Sequence, residues 1–385
     1  DTSGTLEIQS AGTTKFTVNS AGVAMPGPLT GLTSVNSGQI GGSRNKIING
    51  AMEINQRGTA AVAADGAMIS DRWKEIEAGG GNMTCQVVAD APASFRNSIK
   101  AIASTADDCS QAADEYRILH RIEGNNVVDL YYGNSGAKTT TLSFWVKSSL
   151  TGNFPVGLEN SASNRTHVKQ YTINSADTWE KKSVTFVGDE AGTWLITNGT
   201  GLSVNFVLGA GSNYTGTIDS WQGSRLYRGS SSVQFMATVN ATYFVTGVQL
   251  EVGSTATDFE YRTFGEELAL CQRYYEQSYN YGVAVGTTTY DGGSFVGGSA
   301  TTRTTGYIAG GSIDFRVEKR GDPTIVAYDQ AGASGKSQRY ELGVSNTNNS
   351  AIAIGHTDLR NFMCYSNTGS NATGLFLHFT ATAEL

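Results

Sequence analysis

Apolar side chains recur at every second position in short runs, and that period most limits the folds open to this chain. Between Thr141 and Lys147, Leu142, Phe144 and Val146 fall on one side of an extended backbone, with Thr141, Ser143, Trp145 and Lys147 on the other, because successive side chains of a strand point to opposite faces. The same beat returns at Val184 and Phe186, at Val204, Phe206 and Leu208, and at Val248, Leu250 and Val252 against Gln249 and Glu251. Gly, Asn, Asp and Ser break the runs, and these are the residues that turn a chain. One buried face per strand suits antiparallel sheets packed face to face. Residues 44–262 are therefore expected to form a jelly-roll β-sandwich, within an all-β chain.

Composition narrows the function classes. Of 385 residues, 47 are Gly and 16% are charged, against roughly a quarter charged in ordinary domains. A net charge of −7 with no cluster of Lys and Arg argues against a nucleic-acid partner, since phosphate binding is driven by clustered cations. The uncharged apolar runs fall short of the roughly 18 residues that cross a bilayer, so no membrane insertion is expected. Residue 1 is Asp, and the chain reads as part of something longer with an upstream anchor. Cys85, Cys109, Cys271 and Cys364 are scattered, without a C-x-x-C, and are expected to be buried reduced thiols.

Residues 1–43 carry two strand-length alternations, Leu6 with Ile8 and Phe16 with Val18. Their apolar area, at ~25 cal/mol per Å², does not offset an ordering cost of ~1–2 kcal/mol per residue. The expectation is a short shaft whose interior forms by wrapping with two further copies, a homotrimer. Thr263 and Glu266 have the spacing of a capping box, and Phe264, Leu268, Cys271 and Tyr275 follow as an apolar stripe. A connecting helix over 263–278 is expected, and a helix this short must pack against a neighbour or its own copies. Residues 279–385 again read as strands, at Tyr281, Val283 and Val285, at Ile313, Phe315 and Val317, at Ile325 and Ala327, at Ile352 and Ile354, and at Phe376 and His378. They are expected to form a small separate β tip.

The run from Arg44 to Thr59, RNKIINGAMEINQRGT, then Asp71-Arg-Trp73 and Ser143-Phe-Trp-Val-Lys-Ser148, resembles tail-fibre and related virion proteins of tailed bacteriophages. Gly247-Val-Gln-Leu-Glu-Val-Gly253, Asp258-Phe-Glu-Tyr-Arg262 and the Glu266–Tyr275 run are similar to the same family's exit from its sandwich. The resemblance covers about Arg44 to Ser278. It implies a homotrimeric structural protein with a carbohydrate-binding-module-like jelly roll, mounted with other tail or capsid proteins on the virion. A tip that meets a host-surface glycan is part of the same implication. Arg316–Thr324 is similar to tip domains that follow such a helix.

Catalytic patterns are missing from the sequence. No Ser stands in G-x-S-x-G, and His120, His167, His356 and His378 form no metal pair. Gly332–Ser337 lacks the Gly at position 330 that a phosphate loop needs, Gln330 standing there. Adjacent carboxylates at Asp107 and Asp108, Asp114 and Glu115, and Asp189 and Glu190 do not share a face in a strand. No enzyme, cofactor or metal is expected. Sugar recognition combines an aromatic face with hydroxyl-binding side chains, which selects Trp221, Arg225, Tyr227 and Arg228 in one loop, and Tyr281, Tyr290 and Asp291 near Tyr279 in the tip. The same residue types serve packing between subunits. The expected function is a virion fibre that attaches to a host glycan. The alternatives are a purely structural capsid or tail decoration and a polysaccharide-cleaving spike.

Overall fold

The computed structural model describes residues 44–297, 311–341, 346–365 and 372–385, together with the backbone of five strands within residues 6–39. Leu6–Ser10, Thr13–Asn19 and Gly22–Ala24 pair antiparallel within the chain, setting Leu6 opposite Val18 and Ile8 opposite Phe16. The side chains of these four shaft candidates lie outside the described residues.

The chain is all-β, with a single α-helix among the described residues. Two antiparallel sheets form the sandwich. One has seven strands, in the order Trp221–Gln222, Thr166–Ile173, Gly152–Glu159, Thr200–Ala210, Glu115–Glu123, Trp73–Ala78 and Met68–Ser70. The other has five, in the order Glu180–Phe186, Thr140–Ser148, Thr242–Val252, Ser98–Thr105 and Asn82–Val88. The chain passes between the two sheets several times, as from Ser98–Thr105 to Glu115–Glu123 and on to Thr140–Ser148. Leu142, Phe144, Val146, Phe186, Val204, Phe206, Leu208, Val248 and Leu250 all enter one core, as their alternation requires.

The opposite face of Thr242–Val252 departs from the expectation of one buried face per strand, because Gln249 and Glu251 are buried as well. Ser98–Thr105 pairs with this strand only over its first four residues, Thr242 to Val245. Beyond it the free edge is taken by residues 46–50, through Lys46 N–H to Leu250 O at 2.8 Å and Val248 N–H to Gly50 O at 2.9 Å. The segment after the strand then folds over the polar pair, with Glu251 accepting from Thr257 and Gln249 accepting from Glu260 N–H. Gly247 permits the bulge in this strand: its φ is 60° and a Cβ there would sit 2.5 Å from the Phe95 ring, a conformation and a contact that only glycine tolerates.

The Arg44–Thr59 run and Asp71-Arg-Trp73 form one buried hydrogen-bonded hub. Asn49 donates to Ile54 O at 2.8 Å and to Ser70 Oγ at 2.9 Å, and its Oδ1 accepts from Ile54 N–H at 2.9 Å. Trp73 Nε1–H donates to Asn49 O. Gln56 donates through its backbone and its side chain to the two oxygens of Asp71. Burial of the carboxyl pushes Asp71 up to about 6, against the lowering effect of Arg57. This motif is fold architecture, since buried polar groups specify a structure only when each finds a partner.

The helix spans Phe264–Gln272, with both halves of the expected capping box formed between Thr263 and Glu266. It is shorter than expected. Tyr275 is not on it, because Tyr275–Gln277 is a strand paired with the far end of Ala372–Thr382; sheet pairing outcompetes the last helical turn. Cys271 is buried with Ile48, Ile54 and Tyr274, Leu268 packs beside them, and Phe264 stays exposed against the edge of Tyr281.

Ala372–Thr382 is the spine of the C-terminal region, pairing with Tyr275–Gln277, Ser294–Gly297, Thr324–Tyr328 and Lys336–Glu341. Val296, Ile313, Phe315, Ala327, Phe362, Leu377 and Phe379 make a second core. The expected strand at Tyr281, Val283 and Val285 is a pair of turns, because Gly282 and Gly286 take left-handed φ values of 85° and 84° and break the pleat. The four cysteines are free buried thiols.

Candidate functional site

The loop chosen from sequence for sugar contact is drawn into the body of the protein. Tyr227 is 1% exposed, and its ring carries the guanidiniums of Arg117 at 4.5 Å and Arg225 at 5.1 Å. It has no open face for a sugar and, against the expectation from sequence, is a packing residue. Arg225 donates to Tyr227 Oη at 2.6 Å and to Glu115 at 3.1 Å, above a sheet face where Arg117 donates to Asn205. Arg228 turns away to the carbonyls of Ser230 and Ser232. Trp221 is half-buried, donating to Val187 O at 2.7 Å. The structure thus joins Arg225 with Tyr227 and separates both from Trp221 and Arg228, because alternate residues of this covering loop meet different parts of the sheet.

In the C-terminal region, Tyr281 and Tyr290 are exposed, at 45% and 50%. Tyr281 Oη bridges Glu53 O and Asn55 N–H. Tyr290 Oη accepts from Gln338, with its ring against Phe376. Asp291 is exposed beside it, and Tyr279 is buried, stacked 3.9 Å from His378.

The better-formed site lies elsewhere and was missed from sequence. It is built by the connection after Glu115–Glu123 and the connection before Thr200–Ala210. Two 3₁₀ turns, Gly124–Asn126 and Val128–Leu130, end on Tyr131 in the left-handed region, at φ 58° and ψ 27°. The first turn is laced to the second connection by Gly124 N–H to Gly199 O at 2.8 Å and Asn125 N–H to Thr197 O at 2.9 Å. A Cβ on Gly124 would lie 2.5 Å from Leu195 O, so glycine is what lets the two backbones meet.

Between these loops lies a hollow of about 120 Å³, with Leu130, Tyr132, Trp194 and Leu202 below and Val128, Tyr131, Leu195 and Ile196 exposed around its mouth. Side-chain polar atoms of the floor are already engaged. Tyr132 Oη pairs with Thr140 Oγ1 at 2.9 Å, and Trp194 Nε1–H donates to Asp189 and to Ala191 O. Asp189 also binds Arg165. Behind the floor, the rings of Tyr132, Trp194, Trp221 and His167 meet edge to face at 4.9 to 5.6 Å. Burial holds His167 near 4, so the imidazole in this cage is neutral at pH 7.

Val128 also borders a second hollow of about 460 Å³, lined by Asn45, Lys46, Ile48, Asn125, Asn126, Asp129, Arg262 and Leu270. Lys46 Nζ pairs with Asp129 at 2.8 Å, and Arg262 donates to Ile47 O. The two hollows share Val128; the first is aromatic and aliphatic, and the second mixes amide and charged side chains with Ile48 and Leu270. Asn134 stands at the apolar mouth, donating to Tyr132 O at 3.3 Å, while its Oδ1 accepts nothing among the described residues. A small neutral molecule with one apolar face suits the first hollow, where that surface is removed from water on the rings. In sequence the only signal was a mostly apolar stretch, Val127–Tyr132, broken by Asp129 and with no regular period.

No protein-family model matches the chain, and no curated protein does. Several solved structures are similar to part of it. The enzymatically active domain of tailspike protein 4 of bacteriophage CBA120 is 12% identical over 54% of this chain and 21% of that one, with a TM-score of 0.29. A family 4 carbohydrate-binding module is 15% identical over 53% of this chain and 97% of that one, at 0.30. The family 11 carbohydrate-binding module of Clostridium thermocellum, in complex with a mixed-linked tetrasaccharide, is 11% identical over 52% and 99%, at 0.28.

Proposed function

We propose that this protein is a noncovalent glycan-binding appendage of a tailed-phage virion, working as a homotrimer mounted on other tail or capsid proteins. The observation that carries the glycan part is the exposed Tyr131 ring at the mouth of an apolar hollow, with Asn125, Asn126 and Asp129 lining a second hollow on the other side of Val128. Aromatic faces stack on the apolar side of a pyranose, and amides and carboxylates bind its hydroxyls without the cost of leaving them unpaired. The virion part is supported by the resemblance of the Arg44–Thr59 and Asp71–Trp73 runs to tail-fibre proteins. Weak single sites gain strength when three are tethered, because each later contact forms at raised effective concentration. The protein turns over nothing in this reading.

A glycan array with the full chain tests it, alongside light scattering for the mass in solution. Binding by the native chain and its loss in Tyr131→Ala is the expected result. A trimer that binds no glycan would favour a purely structural decoration. Release of reducing ends from host polysaccharide would establish a cleaving spike instead.

A further inference from the structure

We infer that Asn198 is the site at which this protein ages by spontaneous deamidation, and that the isoaspartate formed there unfastens the loop before Thr200–Ala210 from the turn at Gly124. The dipeptide Asn-Gly occurs twice in the chain, at Asn49-Gly50 and at Asn198-Gly199. Glycine carries no side chain to shield its nitrogen, and its backbone turns freely, so that nitrogen can reach the Cγ of the asparagine before it. On losing its proton the nitrogen attacks Cγ, a new C–N bond closes a five-membered imide, and the side-chain amide leaves as ammonia. Water then opens the ring. Addition at Cγ gives aspartate, and addition at the backbone carbonyl gives isoaspartate, in which the chain runs through the former side chain.

The fold separates the two copies of the dipeptide. Asn49 is 1% exposed; its Nδ2 donates to Ile54 O, Ser70 Oγ and Asp71 O, and its Oδ1 accepts from Ile54 N–H. Held at both ends and out of water, its amide can neither turn toward Gly50 nor be hydrolysed. Asn198 is exposed in a bend, and one bond holds its side chain, from Nδ2 to Arg320 O at 2.8 Å. Gly199 N–H makes no hydrogen bond among the described residues, so the attacking nitrogen is free.

The same bonds say what the reaction breaks. Thr197 O accepts from Asn125 N–H at 2.9 Å, and Gly199 O accepts from Gly124 N–H at 2.8 Å. Isoaspartate inserts an extra backbone atom between these two fixed carbonyls, and the longer chain cannot keep both bonds. The donor to Arg320 O is lost as well, since a carboxylate has no proton to give. That bond is half of a reciprocal pair, Arg320 donating to Asn198 O at 2.9 Å while it also holds Ala383 O and Glu384 O at the end of the last strand.

The test holds the full folded chain at mildly alkaline pH over days and follows both dipeptides by peptide mass spectrometry, with isoaspartate counted by enzymatic methyl transfer. Asn198 is expected to convert while Asn49 stays intact, and both are expected to convert in urea. Hydrogen exchange across Gly124–Asn126 is expected to quicken about tenfold in the aged protein, the scale of one lost hydrogen bond. In Asn198→Gln the exchange rate is expected to hold constant with age, because a glutamine must close a six-membered ring, which forms more slowly. An intact Asn198 in folded protein when the chain in urea has converted, equal conversion at Asn49, or unchanged exchange across Gly124–Asn126 in protein carrying isoaspartate would each overturn the inference.

Discussion

Trp73 Nε1–H donates to the backbone carbonyl of Asn49 at 2.9 Å, inside the core and across the first turn of the sandwich. Asn49 holds φ at 58° and is almost wholly buried, so one residue supplies both a left-handed turn and the side-chain bonds to Ile54 and Ser70. Asn49→Ala is expected to lose about 2–3 kcal/mol of stability, because buried donors and acceptors are left unmatched. Urea unfolding checks this. A loss no larger than that of an exposed Asn→Ala change would contradict the hub.

Lys319 is fully buried, its Nζ 2.6 Å from Glu276 and donating to the carbonyls of Gln272 and Val317. It ties the end of the helix to the C-terminal core. Lys319→Met leaves the buried Glu276 charge with only the Arg316 backbone N–H as a partner and is expected to destabilise by about 3–5 kcal/mol, whereas Lys319→Met with Glu276→Gln regains a large part of that, as expected for a buried pair. A double-mutant cycle by chemical denaturation reads the difference. Additive losses would refute the pairing.

Glu75 is buried on the inner side of its strand, and burial, then the charge of Glu77, pushes its carboxyl up to about 8 from an ordinary 4.5. The folded state therefore binds the more protons between those values, so stability falls as pH rises from about 4.5 to about 8. Glu75→Gln is expected to flatten that decline. The check is a set of denaturation midpoints at pH 5, 6.5 and 8 for both proteins; parallel curves would show that Glu75 is not the group responsible.

Tyr131 occupies the left-handed region, where a bulky residue stores roughly 1 kcal/mol of strain. Tyr131→Gly is expected to keep or slightly raise the melting temperature while losing glycan binding. A marked drop in melting temperature would mean that the ring serves packing.

Removal of residues 1–43 is expected to weaken trimer cohesion and leave the sandwich folding cooperatively, since the later strands carry their own apolar faces. Analytical ultracentrifugation and thermal melts measure the two effects separately. An unchanged mass, or loss of the cooperative transition, would contradict the division of labour.

The all-β sandwich and its inward residues were legible from alternation alone. A strand's faces are set locally, so Leu142, Phe144 and Val146 could be assigned to one side before any partner was known. The capping box at Thr263 and Glu266 was equally local. Where the helix stopped was not: Tyr275 continues the apolar stripe in sequence, yet its backbone pairs with Thr382, more than a hundred residues away.

The site divides along the same line. The sequence by itself determined which residue types could meet a sugar, and it pointed to the richest local mixture, Trp221 to Arg228. Only the tertiary structure decided that Tyr227 is sealed beneath Arg117 and Arg225, and that Tyr131 stands open beside Ile196. The physical reason is that burial belongs to the packing of distant segments. Glycines such as Gly124 let two loops approach that lie some seventy residues apart in the chain, and no local pattern records where such loops will meet.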